Sequence, residues 1–346
     1  APSGKFAVKV RGVLSGADTQ EKVFHTSVGV AADKTARDIN TLYSKAISAI
    51  SVMRPFIGIQ LLFNGKPAGD VPVPFGSIVQ GTVDWQNNLD AKIEQAQIEV
   101  RLIGSALNRS SIKTDQGGFY RSVDDTIIWD ERGTPALAQL ESGDSGTVAF
   151  TFQPLPPISG SQSLLNPTIT AEVTVRGKRI SETGVPEEIK SVMIKNVRVS
   201  SEVQFASRAV YFVGPFVNSG PIPPKVEQET TYTVIWSIVN TSNSINNTQV
   251  RAVLPVYMKW YGSVSPSRED IIYDQNTNQI IWSPGDIPAG VGVGKPPREV
   301  AFQLVFTPSL SQVRTAPSII TQTTLTATDA FTSVPIRQEK SDITTN

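Results

Sequence analysis

The sequence contains no cysteine and a single histidine, His25, and these absences exclude several kinds of chemistry. Without cysteine the chain has no disulfide, no thiolate zinc site and no cysteine nucleophile. One histidine cannot build a multi-histidine metal site, and His25 lies in a predicted strand far from any nucleophile-elbow motif. We therefore predict no catalytic residue, no metal ligand and no cofactor.

Charge is also scarce. Charged residues make up 18% of the chain, and Lys+Arg and Asp+Glu both number 31, so the net charge is zero. This balance predicts no nucleic-acid partner, because such partners require a basic surface. No apolar run approaches the length needed to span a bilayer, so membrane insertion is not expected either.

What the chain does contain is period-two alternation of apolar and polar residues. Residues 169–175 and 232–240 show the alternation of half-buried strands, and turn clusters such as Asn64-Gly65-Lys66-Pro67 separate such segments. The 24 prolines and 25 glycines disfavour long helices. The predicted fold class is all-β, built from antiparallel Ig-like sandwiches in tandem.

Two stretches of the chain match each other in order. Tyr120 and Tyr273 lie 153 positions apart, as do Trp129 and Trp282. Such matched positions indicate a duplicated module, which more often spaces or assembles than catalyses. We assign one Ig-like repeat to residues 56–200 and a second to residues 201–346.

A third, partial copy opens the chain. Val8-Lys9-Val10-Arg11-Gly12 matches residues 173–177, and the alternating segment 23–30 matches the strand that follows in the first repeat. Residues 1–34 are therefore predicted to be the C-terminal hairpin of a repeat whose body is missing. Because an isolated hairpin is marginally stable in water, we expect it to pack on another surface.

Residues 35–55 are predicted to form one amphipathic linker helix. Thr35 with Asp38 resembles a helix N-cap, Pro55 would stop the helix, and apolar residues recur at helical spacing between them. The residues predicted to mediate assembly come from this helix and from the hairpin. They are Val8, Val10, Val23, Phe24, Val28, Ile39, Tyr43, Ile47 and Ile50.

Aromatic residues offer a second kind of candidate. Four of the five tryptophans recur at matching positions of the two repeats, which favours a role in the cores. Trp260 has no counterpart and is flanked by Tyr257 and Tyr261, so these three residues are the candidates for ligand contact, for example with a glycan.

Other motifs favour ordinary surface structure. The glycine-rich segment 290–295 departs from a phosphate-binding loop at Ala289 and Pro296, and we interpret it as a lengthened hairpin loop. The acidic pair Asp124-Asp125 lacks the spacing of a calcium loop. Asn108, Asn240 and Asn246 each begin an N-glycosylation sequon, so these three asparagines are candidate sites for glycan attachment.

The second repeat resembles the conserved-repeat Ig-like domains of bacterial and archaeal surface proteins. The resemblance rests on motifs that occur in the order of that family: Tyr232-Thr233-Val234, Asn240-Thr241, Leu254-Pro255, Trp282, Pro288-Ala289-Gly290 and Ala327-Thr328. It covers about residues 230–330, and the first repeat departs from it at Leu102-Ile103 and Glu141-Ser142-Gly143. The resemblance implies a secreted, wall-associated or S-layer-like context, with motif residues that are structural.

The sequence thus predicts a non-enzymatic, extracellular structural protein of the cell surface. It is expected to self-associate into a layer or filament, with strand exchange through the N-terminal hairpin as one route. The alternative is an adhesin or carbohydrate-binding module that contacts a cell wall or glycan. A third hypothesis, the accessory region of an enzyme, stays open at this point.

Overall fold

The computed structural model of the chain describes residues 21–31, 39–51, 56–67, 69–156, 158–159, 162–180 and 186–345. These residues form β-strands, turns and two short 3₁₀ helices, Pro135–Leu137 and Leu310–Gln312, with no α-helix among them. Nearly every strand pair is antiparallel. The predicted all-β class, with antiparallel sandwiches in tandem, is confirmed.

The described chain begins with a two-stranded hairpin, formed by β1 (Glu21–Ala31) and β2 (Ile39–Ser51). This is a different pairing from the hairpin predicted for residues 1–34, whose first strand, residues 8–12, lies outside the described residues. The register runs without interruption from the pair Glu21 and Ser51 to the pair Val28 and Ser44, and shifts twice near the turn. In the described chain, β1 and β2 pair with each other and with no third strand.

The predicted helix over residues 35–55 is wrong, because residues 39–51 form β2. Ile39, Tyr43, Ile47 and Ile50 recur every three or four residues, as on one face of a helix. In the structure two register shifts interrupt β2, so its apolar residues do not follow a regular period of two. The β-branched residues and the available partner β1 favour the strand. The predicted cap at Thr35 and stop at Pro55 lie outside the described residues.

The first sandwich spans residues 57–199. Its strands are β3 (Ile57–Phe63), β4 (Val71–Val73), β5 (Val79–Asn87), β6 (Ile93–Ile103), β7 (Leu107–Thr114), β8 (Phe119–Arg121), β9 (Thr126–Trp129), β10 (Gln139–Leu140), β11 (Ser145–Pro154), the small pair β12 (Ile158–Ser159) and β13 (Gln162–Ser163), β14 (Thr168–Ile180) and β15 (Pro186–Val199). One sheet has the order β3-β5-β11-β7, and the other has the order β4-β15-β14-β6-β9-β8 with β10 beside β6.

The second sandwich repeats this plan. Its strands are β16 (Val203–Val210), β17 (Thr230–Asn240), β18 (Ile245–Val253), β19 (Met258–Ser265), β20 (Ile271–Asp274), β21 (Gln279–Ile287), β22 (Arg298–Phe306), β23 (Ser318–Asp329), β24 (Pro335–Lys340) and β25 (Ile343–Thr344). The sheets are ordered β16-β17-β22-β19 and β20-β21-β18-β23-β24, with β25 beside β23. The four-stranded sheet corresponds to the ABED sheet of an Ig domain, and the other sheet corresponds to the sheet that contains strands C, F and G.

Each sandwich has its own apolar core, and the repeated tryptophans lie in these cores as predicted. Trp129, Trp236 and Trp282 are fully buried, and Trp85 is nearly so. In the second core the ring of Trp236 packs edge-on against Phe302, with centroids 4.9 Å apart. The alternation seen in the sequence places these side chains between the two sheets.

The repeat also extends to a hydrogen bond at the turn before the β9 and β21 strands. The hydroxyl of Tyr120 donates to Asp125 over 2.6 Å, and the hydroxyl of Tyr273 donates to Asn278 over 2.8 Å. Asp125 and Asn278 both have positive φ, a conformation that Asp and Asn tolerate better than most residues. The matched tyrosines therefore fix the same turn in both sandwiches.

A polar junction joins the two sandwiches. The buried carboxylate of Asp329 accepts hydrogen bonds from the backbone N–H of Ser201, at 2.7 Å, and from the side-chain amide of Asn243, at 2.8 Å. Asn243 also donates to the carbonyl oxygen of Val199 over 2.9 Å. The guanidinium of Arg198 lies 5.0 Å from the ring centre of Phe331. The segment between the sandwiches is thus held by the second sandwich itself.

Candidate interaction surfaces

The hairpin β1–β2 exposes apolar side chains on both of its faces. Ile47 is 63% exposed and shares a face with His25, its partner across the hairpin. Phe24 and Val28 lie on the opposite face and are also exposed. In the sandwiches, by contrast, inward-facing apolar side chains are almost completely buried. The hairpin therefore carries apolar side chains of the kind found in a hydrophobic core, but these side chains are exposed to solvent.

The predicted assembly residues occupy this hairpin, except for two. Val8 and Val10 lie outside the described residues. The others are exposed, with Val23, Phe24 and Val28 on β1 and Ile39, Tyr43, Ile47 and Ile50 on β2. The sequence interpretation missed Val30 and Leu42, which are exposed on the same two strands. Leu42 lies in the segment that was interpreted as a helix, whereas Val30 lies at the end of the segment 23–30, which was already interpreted as an alternating strand.

One edge of the first sandwich is closed by side chains of its last strand. On edge strand β3, the backbone N–H of Leu61 donates to Met193 Sδ over 3.3 Å, and its carbonyl oxygen accepts from Lys195 Nζ over 3.1 Å. Lys195 Nζ also donates to the carbonyl oxygen of Lys66 over 2.5 Å, and burial lowers the pKa of its ammonium group. Backbone groups engaged in this way cannot accept a new strand.

The second sandwich closes the same edge with a different residue. On edge strand β16, the backbone N–H of Phe205 donates to the side-chain oxygen of Gln338 over 3.2 Å. The amide nitrogen of Gln338 donates to the carbonyl oxygen of Val203. Gln338 lies on β24, the counterpart of β15, so both sandwiches cap this edge from the equivalent strand.

The opposite edge of each four-stranded sheet is interrupted by a bulge. The β7–β11 register shifts between Thr151 and Gln153, and the β19–β22 register shifts between Trp260 and Val264. Bulges disfavour the addition of a flat strand. The long strands of the hairpin, by contrast, have outer edges that pair with no other described strand.

The candidate ligand-contact residues do not form one platform. Trp260 pairs with buried Leu304, and its ring stacks on Tyr273 at 6.1 Å and lies 5.3 Å from Phe302. Tyr257 packs against Phe306. Of the three candidates only Tyr261 is largely exposed. A contact with a glycan therefore stays a prediction, and Tyr261 is the candidate whose side chain is exposed enough to make it.

Sequence reasoning missed an exposed apolar loop in the second sandwich. Phe212, Val213 and Val217 are 84%, 65% and 95% exposed, and they follow one another in the connection between β16 and β17. No charged residue occurs in residues 209–224. This uncharged run was the available signal, but its glycines and prolines are equally typical of an ordinary connecting loop.

A pocket of about 580 Å³ adjoins this loop and is lined by an ion pair whose carboxylate is buried. The side chain of Glu269 is 1% exposed; it accepts a hydrogen bond from Trp282 Nε1 over 3.0 Å and pairs with Arg298 at 3.1 Å. In the first sandwich, Trp129 Nε1 donates instead to the carbonyl oxygen of Asp115. Glu269 therefore anchors the second core tryptophan from the pocket wall.

The acidic pair Asp124-Asp125 is bound by arginines. Arg121 donates to Asp124 and Arg109 donates to Asp125, and each hydrogen bond holds the pKa of its carboxyl group below the usual range. The described residues contain no group of three or more His, Asp or Glu side chains placed to hold a metal ion. Within the same part of the chain, no helix has the length and apolarity to cross a membrane.

The sequons differ in their accessibility. Asn240 is fully buried, and its side-chain amide donates three hydrogen bonds within the second sandwich. It is therefore unsuitable for glycosylation in the folded protein. Asn108 and Asn246 are half-buried.

No family model matches the chain, and no curated protein matches it. Among solved structures, it is similar to the C-terminal domain of the antigen I/II polypeptide BspA of Streptococcus agalactiae, with 11% identity, coverage of 83% of this chain and 99% of that one, and a TM-score of 0.29. The chain is also similar to the C-terminal domain of the Streptococcus pyogenes antigen I/II-family protein AspA, with 11% identity, coverage of 84% of this chain and 99% of that one, and a TM-score of 0.26. The seventh ScaB type I cohesin of Pseudobacteroides cellulosolvens is 6% identical in sequence, and the match covers 41% of this chain and 92% of the cohesin, with a TM-score of 0.25. At these TM-scores, the similarities transfer no function to this chain.

Proposed function

We propose that this chain is a non-enzymatic structural protein of the cell surface that self-associates through its hairpin β1–β2. The observation that carries the proposal is the exposure of apolar side chains on both faces of this hairpin. A two-stranded hairpin is marginally stable alone, and large exposed apolar patches usually mark interaction sites. Association would cover at least one face of the hairpin and stabilise it.

The rest of the molecule suits a spacer that separates such contacts. The edges of the four-stranded sheets are capped or bulged, which disfavours uncontrolled pairing between sandwiches. The junction at Asp329 and Asn243 fixes the segment between the two modules. An extracellular location follows from the resemblance of the second repeat to surface-protein repeats, and it belongs to this proposal.

The first experiment compares the intact chain with a chain that lacks residues 1–31, using sedimentation velocity and negative-stain electron microscopy. The deletion removes β1 and should leave monomers, because β2 alone cannot form the two-faced hairpin. Assembly of the shortened chain to the same extent as the intact chain would contradict the proposal.

A milder variant tests the same point without deleting the strand. Phe24→Thr, Leu42→Thr and Ile47→Thr together retain strand propensity and remove large apolar groups from both faces. The matched control changes two exposed valines outside the hairpin, Val123→Thr and Val256→Thr. The hairpin variant should be monomeric with unchanged melting of the sandwiches, whereas the control should assemble normally.

A further inference from the structure

The exposed loop of the second sandwich, residues 211–220, forms a third layer over a sheet face. The outward side chains Thr233 and Gln303, which face each other on β17 and β22, are almost completely buried. The burial pattern of β22 is continuous over its last seven residues, whereas β11, its counterpart in the first sandwich, alternates. The loop covers a face that the first sandwich leaves partly exposed.

The loop is held firmly at its base. The side-chain amide of Asn218 donates to the carbonyl oxygen of Tyr211 over 2.9 Å, and Gln303 donates to the carbonyl oxygen of Val217 over 3.2 Å. The hydroxyl of Tyr211 donates to the carbonyl oxygen of Gly220 over 2.6 Å. An apolar surface that is already ordered loses little conformational entropy when a partner docks.

The module fold does not require this arrangement. In the first sandwich the equivalent connection between β3 and β5 contains β4, which pairs with β15 through residues 71–73. In the second sandwich the described connection contains no strand. Its exposed side chains Phe212, Val213 and Val217 therefore have no role in the core of their own module.

The adjoining pocket extends this surface. Pro215 of the loop contributes to the pocket, together with Pro266, Pro284, Pro296 and Pro297 from neighbouring loops. The loop thus lies beside a mixed surface, because charged residues such as Arg268, Asp286 and Glu299 also line the pocket. Specific interfaces combine an apolar core, here the loop, with a polar rim of this kind.

We propose that this loop surface is the acceptor for the hairpin β1–β2 of a second copy of the chain. This inference rests on the proposed function, because it specifies where the assembling hairpin docks. The hairpin is the other described element on which many large apolar side chains are exposed together. The capped or bulged edges of the four-stranded sheets disfavour strand addition at those sheets, so the docking proposed here is face-to-face packing of apolar side chains.

Donor and acceptor are different surfaces of one chain, so the contact is heterologous. Heterologous contacts propagate from copy to copy and generate open chains or rings, whereas a contact between identical surfaces closes as a dimer. The hairpin precedes the first sandwich and the loop belongs to the second, which gives each copy one donor and one acceptor. This arrangement yields an open chain or a ring without a further contact.

The test uses two variants that disable opposite surfaces. The hairpin variant carries Phe24→Thr, Leu42→Thr and Ile47→Thr. The loop variant carries Phe212→Ser and Val217→Asn, both at highly exposed positions where folding should not suffer. A single change, Val213→Asn, provides a second loop variant, and Val256→Asn at a 90% exposed valine outside the loop is the control.

We expect each variant alone to be monomeric, with apparent affinity weakened at least about tenfold. An equimolar mixture should form one-to-one complexes and nothing larger, because only the intact hairpin of one variant can meet the intact loop of the other. The Val256→Asn control should assemble like the unaltered chain. Sedimentation velocity and mass photometry distinguish these species.

Other results overturn the inference in distinguishable ways. If the loop variants assemble normally while the hairpin variant does not, the hairpin docks elsewhere and only the acceptor is wrong. A mixture that stays monomeric would also exclude this donor and acceptor pair. If the unaltered chain is monomeric, the proposed function fails as well. Loss of binding to phosphatidylcholine vesicles in the loop variants, with assembly unchanged, would identify a lipid surface as the occupant instead.

Discussion

The side-chain amide of Asn240 donates a hydrogen bond to the carbonyl oxygen of Ile287 across 3.1 Å, and the first sandwich contains the same contact between Asn87 and Leu140, at 3.2 Å. Each asparagine also donates to the carbonyl oxygen of the next residue, Pro288 or Glu141. One buried amide thus closes the end of each sandwich by binding backbone that would otherwise be unpaired.

Replacing Asn240 with alanine should destabilise the second sandwich by about 3 kcal/mol, because buried carbonyl groups would lose their donor. Asn246→Ala, at a half-buried sequon position, serves as the control and should change stability by less than about 0.5 kcal/mol. Urea unfolding measures both variants. Equal midpoints for Asn240→Ala and the unaltered chain would show that the amide is dispensable.

Tyr232 is the first residue of the motif in the second repeat. We predict that its ring stabilises the fold and that its hydroxyl does not. The hydroxyl is buried and has no hydrogen-bond partner among the described residues. Tyr232→Phe should therefore leave stability unchanged or raise it by about 1 kcal/mol, since an unpaired polar group is removed. Thermal unfolding checks this, and a clear loss of stability would reveal a partner for the hydroxyl.

Alkaline pH should weaken the fold through two tyrosines. Burial raises the pKa of Tyr232 to about 12, and burial with the hydrogen bond to Asp125 raises the pKa of Tyr120 to about 12. A raised pKa in the folded state means that stability is complete below the ordinary value of about 10 and is lost as the pH rises through about 12. Tyr232→Phe should reduce this loss. Urea midpoints that are flat from pH 10 to 12 would refute the assignment.

Gln338 is predicted to protect the edge of β16. Gln338→Ala removes both hydrogen bonds to that strand, so the amide of Phe205 should exchange its hydrogen faster and stability should fall by about 1 kcal/mol. Gln80→Ala, at an exposed position of β5, is the matched control. Unchanged exchange at Phe205 would mean that the edge is protected by other contacts.

Asp329 is predicted to control the junction between the sandwiches. Its carboxylate accepts hydrogen bonds from the backbone of Ser201, Phe331 and Thr332 and from the side chain of Asn243. Asp329→Ala should cost about 3 kcal/mol in the second sandwich and broaden the distribution of inter-sandwich orientations.

Small-angle scattering and residual dipolar couplings report that orientation. Asp90→Ala, at an exposed position of the first sandwich, is the control. Couplings that are the same in Asp329→Ala and the unaltered chain would show that the junction is fixed without the carboxylate.

Structural features that follow a local sequence pattern could be predicted from the sequence. The matched tyrosines, the buried tryptophans and the strand alternation all follow from period and position, because each reports a local pattern. Strand β2 was missed because Ile39, Tyr43, Ile47 and Ile50 recur at helical spacing, and because two register shifts interrupt the period-two pattern of the strand. The caps formed by Lys195 and Gln338 join residues more than a hundred positions apart, and no local pattern encodes such pairs.

The apolar loop was missed for a different reason. Residues 211–220 have the glycine and proline content of any connection, and the exposure of Phe212 and Val217 depends on how Asn218 and Gln303 fix the backbone. Sequence alone does not tell whether an apolar residue in a loop turns inward or outward.

The most direct test of the account is sedimentation velocity of the unaltered chain over a concentration range from about 1 to 100 μM, in which association with a micromolar dissociation constant is resolved. The account predicts that the sedimentation coefficient rises with concentration from the monomer value towards larger species. A single monomeric species at every concentration, with β1 and β2 amides that exchange freely, would contradict self-association through the hairpin.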